Sequence, residues 1–232
     1  MLPTSTQSMA AYAEMRERLT RALTGLSDEA AASTPVITCP GWSVTDLAAH
    51  VYGVPRDVTD GNISEAGTPG WTSEQVARFA PMGLTDLVAG WNRISPDFEA
   101  KAAHLPDLIT ARIAFDAGVH EHDVLGALGC PGSRESATVL IGLEFMTEGM
   151  AGLVDRAGLP GVEFVTPAFH ATLGNGPVRV RLETDTFTLY RALTGRRSLS
   201  QINSLPWEGD PGPYLTVFDG SPLTPAAVEI VE

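Results

Sequence analysis

The sequence predicts an α+β fold: an up-and-down helical bundle over residues 1–158, followed by a small α/β unit over residues 159–232. Three observations predict it. Long segments of the first two-thirds place apolar residues at three- and four-residue steps, the period of amphipathic helices. No alternating stretch separates them, so helix has to pack on helix. After Gly158-Leu-Pro-Gly161 the period changes to two, as in strands with one wet face. A chain of 232 residues with 44% hydrophobic content is long and apolar enough to bury a sizeable core.

Taken in order, residues 8–26 put Tyr12, Met15, Leu19, Ala22 and Leu26 on one stripe and predict the first helix. The turn-rich STPVITCPGW follows at 33–42. Ser43-Val-Thr-Asp46 is a capping box with Asp in place of the usual Glu or Gln. It starts a second helix, reaching about residue 57, with Leu47, His50, Val51 and Val54 facing inward. Residues 59–70 are rich in Gly, Asn, Ser, Thr and Pro and predict a loop. The third helix covers 84–102, with Leu84, Leu87, Trp91, Ile94 and Phe98 on one face and Pro96 as a point of kinking or breakage. The fourth spans 107–128, and the fifth 136–156 with Val139, Leu143, Met146, Met150 and Leu153 inward.

In the last third, short alternating runs break at Gly-Asn-Gly-Pro, and Val178, Val180 and Leu182 alternate with Arg179, Arg181 and Glu183 as in a strand. Thr184 is expected to cap a short helix, DTFTLYRALTG, ended by Gly195. Ser198-Leu-Ser-Gln201 is a further capping box. A unit of this size is expected to lean on the bundle for stability.

The net charge of −13 argues against nucleic acid and anionic membranes as partners. No run of about 18 apolar residues predicts a membrane-spanning helix. The first residues lack a basic segment followed by an apolar core, so a cytoplasmic location is expected. Two cysteines, Cys39 and Cys130, are too few for a disulfide framework.

The chemistry concentrates on the fourth helix. Ile109, Ile113, Asp116, His120, Val124 and Ala127 share one face, and the apolar members mark that face as buried. An unpaired buried carboxylate costs several kcal/mol, so something has to compensate Asp116. Asp116 and His120 lie one turn apart, which brings a carboxylate and an imidazole side by side. His50 points inward from the second helix. Two imidazoles and one carboxylate make a three-ligand site for a divalent metal, with positions left for water or substrate. Zinc is the first expectation for such a donor set, with nickel or manganese as alternatives. The competing reading is an Asp116–His120 pair in an ordinary core.

Other residues carry weaker signals. Asp123, three residues past His120, either orients that imidazole, and so serves catalysis, or is a surface carboxylate. His122 points away and is expected to be exposed; His104 and His170 are structural. Cys39 is expected to be a small buried residue in a tight turn, with Trp42 as packing; the alternative is a reactive thiol beside the metal. Arg191, Arg196 and Arg197 either complement a helix end or, in one case, hold an acidic substrate or cofactor; Arg191 is the catalytic candidate.

Three segments carry a family resemblance. ITCPGWSVTDLAAHV (37–51), FDAGVHEHDVLGALG (115–129) and DTFTLYRALTGRRSLSQINSLPWEGDP (185–211) resemble, in order, signatures of the mycothiol-dependent maleylpyruvate isomerase family, part of the DinB-like metalloenzymes. The resemblance implies a DinB-like bundle with a smaller α/β part. It also implies metal ligation by His50, Asp116 and His120, with Asp116 departing from the family's usual Glu. Mycothiol is implied as cofactor. The implied chemistry is addition of a metal-activated thiolate to a small electrophile, either as an isomerase of the maleylpyruvate type or as a thiol S-transferase. A non-catalytic small-ligand or metal-binding module is the alternative. Expected partners are therefore a small thiol and a small electrophile, with monomer and homodimer both open.

Overall fold

The computed structural model describes residues 2–221 and 223–232. Local capping chemistry sets most helix starts. Helix α1 (Ser5–Leu23) opens with a Thr4–Gln7 capping box and ends just before Gly25, whose φ of 91° takes the chain out of the helix and leaves Leu26 beyond it. Helix α2 (Asp28–Ser33) is capped by Ser27. Helix α3 (Val44–Asp60) begins at the expected Ser43–Asp46 box and ends at left-handed Gly61. Helix α4 (Pro69–Phe79) overlaps the end of the expected 59–70 loop. Thr68 caps it, and Pro69 takes the first turn, where a missing N–H costs nothing. Helix α5 (Leu84–Ala102) runs through Pro96 without ending, with Trp91 and Phe98 buried on either side of it. Helix α6 (Asp107–Ala127) and helix α7 (Ala137–Arg156) match their expected spans closely.

The described residues divide into two compact units, Thr4–Gly132 and one formed chiefly by Ser133–Glu232. In the first, four long helices make the bundle. α1 packs on α6 and α5, and α3 packs on α5, α4, α6 and α2. Tyr12, Met15, Leu19, Leu47, Leu87 and Phe98 fill its centre, and the Trp91 indole N–H donates to the Tyr12 hydroxyl at 2.8 Å. Helix α6 departs from the expected one-sided burial. Ile109 at its start is exposed, whereas every residue from Ala117 to Leu125 is buried. His122 is therefore buried, not exposed: this stretch has no wet face for it to occupy.

The second unit is built on a four-stranded sheet in the order β2-β1-β3-β4. Strands β1 (Gly161–Val165) and β2 (His170–Leu173) form an antiparallel hairpin. The chain then crosses to the other edge of β1, where β3 (Val178–Glu183) runs parallel to it. The crossing passes so close that a Cβ on Gly161 would lie 2.7 Å from the Gly176 carbonyl oxygen, so a side chain there would collide with backbone. Val180 and Leu182 are buried as the alternation predicts, while Val178 at the strand start is exposed.

Helix α8 (Thr186–Leu193) is capped by Asp185, whose carboxylate accepts from the Thr188 N–H at 2.8 Å. The expected cap Thr184 is one residue too early: its own N–H still bonds the Val165 carbonyl, so it continues the sheet. Helix α9 (Leu199–Asn203) starts at the expected Ser198–Gln201 box. Strand β4 (Trp207–Glu208) pairs with β3, and helix α10 (Gly212–Asp219) follows.

Helix α7 packs on α8, β2 and α10, with Val154 buried where Leu153 was expected. By length and composition it is apolar enough to cross a membrane, but its packing is that of a core helix. It also explains why the units meet at 132/133 and not at 158. The change of period near Gly158 marks where helix gives way to strand, and α7 belongs with the sheet it covers.

Candidate metal centre

The capping box at Ser43 sets the start of α3, and seven residues on His50 is delivered to the bundle interior, 3% exposed. Helix α6 supplies Asp116 and, one turn later, His120. The His50 Nε2 lies 3.4 Å from Asp116 Oδ2, and the His120 Nε2 lies 3.8 Å from Asp116 Oδ1. One donor atom from each residue falls within 4.8 Å of the others. A tetrahedral ion with ligands at ~2.0–2.1 Å places its donors about 3.3–3.4 Å apart, so small side-chain adjustments close this group on a metal. The donor set therefore fits a divalent ion, and the shorter Asp116 arm already reaches both imidazoles. Asp116 is 36% exposed while both histidines are nearly buried, which leaves the carboxylate side accessible.

The proton positions on the two rings follow from their other partners. His50 Nδ1 faces Gln75 Oε1 at 2.7 Å. The orientation of that amide is dictated by its other end, where Gln75 Nε2 donates to Asp57 Oδ2 at 2.7 Å, an acceptor-only group. Gln75 thus offers His50 its oxygen, Nδ1 carries the proton, and Nε2 keeps the lone pair a metal needs. Asp57 is held in turn by Arg78 at 2.6 Å and Asn62 at 3.1 Å. The same logic operates on the other ring: His120 Nδ1 donates to Asp123 Oδ2 at 3.0 Å, which leaves the Nε2 lone pair of the neutral ring for a metal. Gly53 makes room for this support, because a Cβ there would sit 2.8 Å from Gln75 side-chain carbons. Trp42 covers both rings, its centroid 5.6 Å from that of His50 and 6.5 Å from that of His120.

A model of the mycothiol maleylpyruvate isomerase N-terminal domain matches residues 12–124, the stretch that contains every residue of this centre. That segment belongs to this family. Two solved structures share the fold. The crystal structure of the mycothiol-dependent maleylpyruvate isomerase is 12% identical, with a TM-score of 0.57, covering 84% of this chain and 90% of that one. A histidine-to-alanine mutant of that isomerase is 13% identical, with the same TM-score and coverage. No curated protein matches in sequence. The expected resemblance and the α+β class are both borne out.

Within this isomerase-family domain the electrostatics favour a cation. Burial works to lower the His50 pKa, but the Asp116 charge and hydrogen bond, then Gln75 and Asp57, outweigh it and leave the pKa above the usual histidine value. In the metal-free protein, His50 protonation therefore adds stability that is present in acid and fades as pH rises through the raised pKa. Metal needs the neutral ring, so the sign for binding is opposite. Zinc affinity is expected to begin falling, on acidification, above the ordinary histidine pKa of about 6.5. Competition titrations against a chelator across pH check this; an affinity that holds flat below that value counts against His50 as a ligand.

Sequence reasoning missed Gln75, Asp57 and Arg78. Asp57 had a signal, since it lies seven residues past His50 on the same inward stripe. Gln75 had none, because nothing in the sequence brings α4 to His50. Gln75→Leu is expected to weaken zinc binding roughly 10–100-fold, the usual cost of losing an outer partner of a ligand. Chelator competition, with thermal unfolding as a folding control, measures it.

Of the remaining candidates, Asp123 is 2% exposed and sits on His120, so it is no surface carboxylate. Cys39, half-buried in the turn before α3, has its Sγ 3.5 Å from Asp123 Oδ2. Arg191 lies in the second unit, fully buried, with its guanidinium on the Glu232 carboxylate, which Arg197 also contacts at 3.1 Å. Arg196 donates to the carbonyl of Thr194, the residue that caps the end of α8, whereas Arg197 donates to the Arg196 carbonyl beyond the helix and to Glu232. His104 is exposed, and His170 pairs with Glu163 across the β1–β2 hairpin at 2.8 Å.

Proposed function

We propose that this chain is a metal-dependent enzyme that uses a small thiol, of the mycothiol type, to attack a small electrophile. One observation carries the reading: two histidines, with their Nδ1 protons assigned to Gln75 and Asp123, aim their Nε2 lone pairs at one partly exposed carboxylate. A divalent ion at His50, Asp116 and His120 would supply the acidity that turns a thiol into thiolate at neutral pH.

The chain's own groups do the rest. Gln75 and Asp123 keep both rings in the ligating tautomer, Trp42 excludes water from their faces, and the accessible side of Asp116 admits the thiol and its partner. The thiolate adds to an electrophilic carbon. If the adduct rotates and eliminates, the thiol is regenerated and a cis double bond becomes trans. If the carbanion left by addition instead takes up a proton, equivalent to the one the thiol gave up, the adduct leaves and the thiol is consumed. The family of the N-terminal unit and the activity named for the solved relatives support the first outcome, with maleylpyruvate as the substrate to try. We assign the chemistry to the metal group and Asp123. A role for Arg191 toward an acidic substrate requires that substrate to exchange with Glu232.

The test is zinc-loaded protein with mycothiol and maleylpyruvate, followed by proton NMR and thiol titration. Isomer formed with thiol conserved supports an isomerase, and thiol consumed one for one supports an S-transferase. If zinc binds and a wider set of activated alkenes and alkyl halides also gives neither, the enzyme reading falls and a metal-binding module replaces it.

A further inference from the structure

Beside the first donor group lies a second one of different chemistry. The turn before α3 is pinned by Cys39 N–H to the Val36 carbonyl and Trp42 N–H to the Cys39 carbonyl, each at 3.0 Å, so the position of the thiol is set by backbone. Its Sγ lies 3.5 Å from Asp123 Oδ2, and that same oxygen lies 3.0 Å from His120 Nδ1. One donor atom from each of Cys39, His120 and Asp123 falls within 4.8 Å of the other two. We propose that Cys39, Asp123 and the Nδ1 edge of His120 form a second metal locus, which takes thiophilic ions, cadmium above all, is reported by cobalt through its thiolate bond, and competes with the first locus for His120.

The chemistry separates the two loci. The first offers two nitrogens and an oxygen and accepts borderline and harder ions; the second adds sulfur, which selects thiophilic ions and disfavours manganese or magnesium. Binding at the second locus releases the thiol proton and shifts the His120 proton from Nδ1 to Nε2. That Nδ1 proton is the one Asp123 holds to orient His120 for the first locus. Loading the second locus therefore withdraws His120 from the first, and a soft ion acts as an inhibitor distinct from the working metal. Only this competition rests on the reading of His50, Asp116 and His120 as the first locus; the second locus stands without it.

Cobalt titration of the metal-free protein tests it, read as the thiolate-to-metal charge-transfer absorption in the near ultraviolet. Wild type, Cys130→Ser and His50→Ala are expected to show the band, and Cys39→Ser to lose it. Absence of the band in wild type, or its persistence in Cys39→Ser, overturns the proposal. Loss of the band in His50→Ala also overturns it, because the thiol would then be serving the first locus. Failure of the first locus alone shows differently: manganese would bind neither wild type nor His50→Ala while the cobalt band stays in both. A readout without substitution is alkylation of the wild type mapped by mass spectrometry. Cadmium is expected to protect Cys39 and leave exposed Cys130 reactive; equal reactivity of Cys39 with and without cadmium overturns the proposal.

Discussion

His120→Ala is expected to hold no stoichiometric zinc after dialysis and to lose thiol-dependent turnover to background. His120 is engaged at both ring nitrogens: its Nε2 faces Asp116 and its Nδ1 holds Asp123. Removing an outer partner of a metal ligand already costs roughly 10–100-fold in affinity, and removing a ligand from a three-residue set costs more. The same substitution leaves Asp123, 2% exposed, without its ring partner, so lower stability in the metal-free state accompanies the loss. His50→Ala separates the two effects, since it deletes a ligand and leaves the Asp123 pair in place. Elemental analysis of both variants beside wild type checks the expectation. One equivalent retained in His120→Ala would remove this residue from the metal centre and with it the proposed chemistry.

The parts of this molecule legible in the sequence are those encoded locally. The Ser43–Asp46 and Ser198–Gln201 boxes fixed two helix starts because side chain and partner are three residues apart. Asp116 and His120 were readable as a pair because one helical turn relates them. His50 was readable as inward, and the bundle then brought it to Asp116. What stayed hidden depends on distant packing. The acceptor that chooses the His50 tautomer comes from α4, a helix whose start falls in a stretch that reads as loop, and its placement relies on the absence of a side chain at Gly53. His122 and Asp123 were misjudged or left open for one reason: α6 is buried on nearly all sides, and a helix of that kind carries no stripe from which inside and outside can be told. Cys39 lay in a turn whose direction relative to α6 no periodicity reports.

The residue beside His120 carries the second large effect. Glu121 is fully buried, and Arg18 of α1 meets it with two parallel hydrogen bonds, Nε to Oε1 at 2.7 Å and Nη2 to Oε2 at 2.9 Å. The pairing raises the Arg18 pKa, chiefly through the hydrogen bond to Glu121. Arg18→Ala is expected to destabilise the metal-free protein by about 3–5 kcal/mol, because it leaves a carboxylate in the core with no compensating charge. Glu121→Gln is expected to cost less: the Arg18 side chain, 25% exposed, reaches water, and the amide keeps one hydrogen-bond acceptor. Arg18→Lys falls between, since a point charge cannot reproduce the fork. The asymmetry tests the argument, because a pair stabilised only by mutual attraction would suffer equally from either loss. It also reaches the metal centre. Arg18 and Glu121 lock α1 to the turn of α6 that carries His120, so zinc, binding the folded form alone, is expected to restore part of the stability lost in Arg18→Ala. Urea unfolding with and without zinc measures both effects. A loss below about 1 kcal/mol in Arg18→Ala would mean that water replaces the guanidinium and that Glu121 is not sealed in the core.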